Sequence, residues 1–293
     1  MVFRFLPDDK SAAAAVRRIA RQEIAAALAE TADERQSFDT RVHGARRRCK
    51  RLRGLARLVR PQFGGYARVN TAVREAMAGL AHTRDAAVIV ETLDGLTAHG
   101  ADGVAEDTFV RVRQALSARV EQVGGNEQQR LIADLSGHLR ALADEVESWR
   151  LDRKGFAALE GGLTRIYAGM GKAMRAALAA PDDEALHEWR KLVKYHWHHI
   201  TLMRETAPDV LGPQRALADE LGEALGDHHN LSVLIRMLPV LAEESDRAGI
   251  AAAARRKQER LAERAFFIGR QVAAEPPKAL AKRFGGYWKL MYG

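Results

Sequence analysis

The chain has 293 residues, 47% of them hydrophobic, with a single cysteine and a formal net charge of +8. That length fits one large domain or two of about 100–150 residues, and the apolar share is enough to fill a core. One cysteine excludes an internal disulfide, while the positive balance favours anionic partners and leaves the fold open.

Alanine and leucine are abundant, proline is rare, and the alternating Val/Ile/Thr runs that mark strands are missing, so the chain reads as all-α. No stretch approaches the roughly 20 apolar residues of a membrane span. MVFRFLPDDK lacks the apolar segment of a signal peptide. A soluble, cytoplasmic helical protein is expected.

In chain order, a first helix is predicted after Pro7, capped by Asp8 or Asp9 and running to about Glu30, with Arg17, Arg18 and Arg21 on it. A second runs from about Ser37 to the turn before Pro61, because proline cannot continue a helix from the preceding turn. Helices follow at about 66–81, 83–98, 106–122 and 127–148. Residues 151–156 form a polar join between two halves. Beyond it lie helices at about 156–179 and 183–205, the second capped by Asp182 or Asp183. Gly212-Pro213 breaks the chain ahead of helices at about 213–225 and 229–243, with a bend at Pro239. A basic helix at about 247–273 ends at Pro276-Pro277, and a last helix carries Trp288.

The stretch 41–60, RVHGARRRCKRLRGLARLVR, holds nine Lys/Arg and one His, with no acid. His43, Arg46, Arg47 and Lys50 follow the spacing i, i+3, i+4, i+7, which puts all four on one helix face. His187, Arg190, Lys191 and Lys194 repeat that spacing 144 residues later. A second pair of segments, LAHTRDAAVIVETL at 80–93 and LGDHHNLSVLIRML at 225–238, matches at an offset of 145. Two anchor segments in the same order indicate an internal duplication. Arg presents a fork of N–H groups to phosphate oxygens, Lys a point charge, and imidazole at least one N–H. With no acid at i±4 to compensate, such a face is expected to meet a polyanion.

Enzyme signals are weak. The chain has no phosphate-binding GxxxxGK[ST] loop and no GxSxG. His196 and His199 are spaced i, i+3, but no carboxylate or cysteine follows at ligand spacing. His228-His229 beside Asp227 suggests an anion donor or a helix-cap network rather than a metal site. Trp189, Val193 and Ile200 read as core and Trp197 as a packing seam. The basic surroundings of Cys49 can lower its thiol pKa, without making it a candidate catalytic residue.

With both H-x-x-R-[RK]-x-x-K faces and both Leu-[Ala/Gly]-x-x-x-[Asp/Asn] segments in place, the chain resembles the CHAD (conserved histidine α-helical domain) family from about residue 9 to 290. The run RLAERAFFIGRQVAAEPPKALAKRFGGYW looks like that family's closing helices. The resemblance implies two pseudo-symmetric helical bundles, here 9–150 and 151–291 of one domain, around a basic central channel. It implies non-catalytic binding of inorganic polyphosphate, without cofactor or metal, and an association with polyphosphate granules. No strand-rich stretch is present for the triphosphate-tunnel enzyme domain fused to some members, so a stand-alone member is expected.

Carried over by position, His43, Arg46, Arg47, Lys50, His187, Arg190, Lys191 and Lys194 line the channel, and Arg53 and Arg57 extend the first face. Arg17, Arg21, Arg84, His198 and His229 complete the candidate set. This chain departs from the family pattern at Gly44 and Ala45. It also has Leu192, Tyr195 and Trp197 where members often carry Arg, and Asn230 in place of Asp. A nucleic acid is the alternative partner, although no DNA-reading motif occurs. An enzyme acting on phosphates is a third reading, which requires a metal site. Histidines in the channel predict affinity that rises as pH falls towards about 6.

Overall fold

The computed structural model describes residues 3–80, 82–97, 104–119 and 124–293, and of residues 82–87, 97, 119 and 245 the backbone alone. Among the described residues there are eleven α-helices and no strand. They are α1 (Ala12–Ala32), α2 (Phe38–Val59), α3 (Tyr66–Ala78), α4 (His82–Thr97), α5 (Glu106–Arg119), α6 (Gly125–Glu145), α7 (Glu160–Ala179), α8 (Asp183–Met203), α9 (Pro208–Met237), α10 (Glu244–Val272) and α11 (Pro277–Tyr292). None of the described helices is long and apolar enough to cross a membrane.

The helices that carry the basic faces follow from simple patterning. In α2, Val42, Ala45, Cys49, Leu52, Ala56 and Val59 are buried at three- and four-residue steps, which leaves the opposite face to the cations. Ser37 caps the helix, its hydroxyl accepting from the Thr40 amide. In α8, Leu186, Trp189, Val193 and Ile200 form the buried stripe, and Asp182 is the cap, accepting from the Ala185 amide at 2.8 Å. Trp189 stacks on Phe266 of α10, with ring centres 5.2 Å apart. Trp197 packs half-buried against the same core.

Several boundaries differ from expectation. The cap of α1 is Ser11, whose hydroxyl accepts from Ala14 N; Asp9 instead pairs with Arg18. Gly212-Pro213 does not break the chain, because α9 runs uninterrupted from Pro208 to Met237. Pro213 lies near its N-terminus and removes one intrahelical hydrogen bond, while buried Leu211, Ala218, Leu221 and Leu225 hold that segment against the core. At the far end, the helix stops before Pro239 and gives way to a short 3-10 turn, Leu238–Val240.

α1 packs on α2, α7 on α8, α8 on α9 and α9 on α10. One large core joins α1, α2, α3 and α6 to α7, α8, the first part of α9 and α11. A second cluster is built by Ile89 and Leu93 of α4, Val112 and Leu116 of α5, Leu231 and Leu234 of α9, and Ile250 of α10. Elements from residues 1–150 therefore share a core with elements from residues 151–293. The N-terminal segment is tied in as well. Phe5 donates its amide to Leu202 O, and Phe3 lies edge-on to His198.

α2 and α8 meet at Gly54. The Gly54 carbonyl accepts from His199 Nε2 at 3.3 Å, and a Cβ at Gly54 would stand 2.9 Å from the His198 Cβ. Gly54→Ala therefore forces the two helices apart. Overpacking of this kind costs about 1–3 kcal/mol, of which helix propensity returns at most about 1 kcal/mol. Urea denaturation is expected to show a net loss of about 1–2 kcal/mol, and an unchanged midpoint would mean that the crossing is looser than described.

Candidate functional site

A cavity of about 620 Å³ lies between α2 and α8. Of its sixteen lining residues, nine are Lys or Arg and one, Glu188, is acidic. From α2 it takes His43, Arg46, Arg47, Lys50, Arg51, Arg53 and Arg57; from α8 it takes His187, Arg190, Lys191, Lys194 and His198. Both basic faces predicted from the spacing thus converge on one space. His43 and His187 each lie eleven residues N-terminal of the α2–α8 crossing, about 16 Å along their helices at 1.5 Å per residue.

The antiparallel partner α9 sets the second face. Lys194 lies over Gly222, Arg190 over Gly226, and the His187 ring sits 4.4 Å from that of His229. Each step along α8 is matched by an equal and opposite step along α9. The segment LGDHHN is therefore the seat of the second basic row, a role that the sequence did not disclose. His228 and His229 sit inside α9 rather than at a helix start, which removes the cap-network reading. His229 backs His187 and does not line the cavity.

Several candidates fall elsewhere. Arg17 donates to Trp149 O at 3.1 Å and Arg21 pairs with Glu147, both away from the cavity. The side chains of Arg84 and Asp85 lie outside the described residues. Arg51, Glu188, Leu192, Tyr195 and Trp197 line the cavity without having been predicted to. The spacing could have flagged Arg51, which stands one turn beyond Arg47.

The expectation that nothing offsets the α2 cations fails, because the acids come from another helix. Glu23 of α1, 1% exposed, stands 3.4 Å from Arg48 and 3.6 Å from Arg51; Glu30 stands 3.0 Å from Arg48 and 3.5 Å from Arg47. Burial raises the Glu23 carboxyl pKa against the pull of Arg51 and Arg48. Two cavity cations rest on neutral groups instead. Arg53 donates to Asn70 Oδ1 at 3.2 Å, and the Arg57 guanidinium lies 4.2 Å from the centre of the Tyr195 ring.

Cys49 is buried on the core side of α2, and burial pushes its thiol up to about 12 despite Arg46 and Arg53. The lowered thiol pKa expected from the basic run is therefore not found. His196, His198 and His199 are buried as well. Burial pulls His196 down to about 4, His198 down to about 3 and His199 well below the usual imidazole value. His198 thus meets the cavity as a neutral ring. Burial, with Lys191 and Arg190, lowers His187, and burial with His187 takes His229 down to about 4. Histidine protonation on α8 is therefore displaced below the pH 6 to 7 range in which it was expected to strengthen anion binding.

The described residues form eleven α-helices, two of which wall one cavity with cationic faces, and this defines an all-α domain of the CHAD type. The CHAD domain model matches residues 12–239, and the chain belongs to that family. The match ends just after α9, so α10 and α11 complete the fold beyond the matched span, short of the full 9–290 over which the sequence resembles the family. No curated protein and no solved structure matches the chain.

Proposed function

We propose that this chain binds inorganic polyphosphate, without turnover, in the cavity between α2 and α8. The observation that carries the reading is the lining, in which nine Lys/Arg from two helices face one acid. A flexible chain with a negative charge on every phosphate can follow both rows, each cation meeting successive phosphates. Membership of the CHAD family supports that ligand class. The same reading takes the chain as one domain of two duplicated halves, 9–150 and 151–291. In its support, the crossing residues Gly54 and His198 are separated by the same 144 positions as His43 and His187. A cytoplasmic, granule-associated location follows from the ligand and is checked by imaging a fluorescent fusion.

The test is competition. Labelled long-chain polyphosphate bound at physiological salt is challenged with DNA, RNA, triphosphate and heparin at matched charge. Unlabelled polyphosphate is expected to compete best, with no phosphate released. Log affinity is expected to fall linearly with log salt, by about 0.7 for each phosphate neutralised. An affinity indifferent to salt overturns the electrostatic account, and equal competition by DNA makes the protein a general polyanion binder.

A further inference from the structure

The cavity cations differ in what holds them. Arg53 and Arg57 rest on an amide oxygen and an aromatic ring, whereas two lysines of the second row are held by carboxylates that no core contact requires. Lys194 Nζ lies 3.3 Å from Asp219 Oδ1, and Lys191 pairs with Glu188 one turn back on α8. Asp219 is also 4.0 Å from Arg215, whose guanidinium shares the Trp197 ring with Lys194 at 5.1 and 5.5 Å. Lys194 is laid onto Gly222, where a Cβ would stand 2.8 Å from its Cε. The arrangement draws Lys194 towards α9, and Glu188 itself lines the cavity.

These pairs are partly solvated, with Lys191 and Glu188 each about half exposed and Lys194 and Asp219 each about one-third exposed. Pairs of that kind add little to folding stability. They do impose a condition on any anion that enters, which must outcompete a carboxylate already in place and tolerate the charge it displaces. Specificity is often built from such repulsive elements rather than from added attraction.

We infer that Glu188 and Asp219 are specificity-determining residues that make the second basic row select for charge density, admitting a linear polyphosphate and disfavouring polyanions whose charges are spaced more widely, such as single-stranded DNA. The inference rests on the polyphosphate reading given above. A ligand with a charge on every unit of a compact chain places several phosphates against Lys191 and Lys194 and replaces both carboxylates. A sparser polymer offers fewer charges over the same length and meets the repulsion without that return.

The experiment uses the full chain and the variants Glu188→Gln, Asp219→Asn and the double variant. Affinities for long-chain polyphosphate and for single-stranded oligo-dT are measured across a salt series. The expected result is a gain of about tenfold or more for oligo-dT in the double variant, against threefold or less for polyphosphate. The salt slope for oligo-dT should steepen by roughly 0.7 to 1.4, as one or two more cations become available. Equal gains for both ligands overturn the inference, because the acids then lower affinity without discriminating. A loss of polyphosphate affinity overturns it too, because the acids then position the lysines. In both of those cases wild-type binding of polyphosphate leaves the underlying reading standing. If the wild-type chain binds no polyphosphate, the reading and the inference fall together.

Discussion

Charge reversal at Arg46 and Arg190 together is expected to abolish the proposed polyphosphate binding while the helix content stays as it was. Each arginine lines the cavity from a different helix, so Arg46→Glu with Arg190→Glu removes one grip from each row and installs two repulsive charges. A hydrogen bond to a charged group contributes about 1.5–3 kcal/mol. Losing two exceeds about 3 kcal/mol before repulsion is counted, which is more than a hundredfold in affinity. Arg130→Glu, on the exposed face of α6, makes the same kind of change away from the cavity and serves as the control. Isothermal titration with circular dichroism reads both quantities. A double variant that still binds within tenfold of wild type places the ligand somewhere other than between α2 and α8.

The second large effect is on stability. The fold is expected to weaken steeply between pH 7 and pH 5, well above the range in which carboxylates titrate. His196, His198 and His199 are held neutral by burial in the folded chain, with pKa values well below the ordinary 6.5. A depressed folded pKa means that the unfolded chain takes up protons that the native state refuses. Stability is therefore intact above about pH 6.5 and falls as pH drops, until the folded pKa is reached. At pH 5 each such histidine costs about 2 kcal/mol, so three cost about 6 kcal/mol, against a total of about 5–15 kcal/mol for an ordinary domain. Glu23 and Asp227, whose carboxyls burial raises, act in the opposite sense but nearer the carboxylate range. His187, His228 and His229, also lowered by burial, add to the same trend; urea midpoints at pH 7, 6 and 5 provide the check, and His196→Leu should flatten the slope. Midpoints that coincide at pH 7 and 5 would show that the three rings are solvated.

The two basic rows were legible in the sequence because their cause is local. Helical spacing alone places His43, Arg46, Arg47 and Lys50 on one face, and Val42, Ala45 and Cys49 on the other. What the sequence hid comes from other elements. Glu23 and Glu30 lie 17 to 28 residues from the cations they face, beyond any search at i±4. The raised thiol pKa of Cys49 has the same origin: the run around it is basic, but the thiol points to the core side of α2. His198 lines the cavity, yet its neutrality depends on Phe3 and on the crossing at Gly54, both remote in the chain. In α9, Gly212-Pro213 is a strong local breaker and predicts a late start, and Gly226 predicts a second break; the core contacts that carry the helix past both are not local.

The spacing of the rows has a further consequence. Cations repeat along each helix at three- and four-residue steps, so a basic side chain recurs at every turn of the cavity wall. A homopolymer laid across them has no unique alignment, since moving it by one unit presents the same charges to the same side chains. A long chain can then occupy many equivalent positions and shift between them without leaving. Retention should thus lengthen with polymer length even after every cation is occupied, and the protein would hold its ligand as a ring holds a rope, in place across it and free along it.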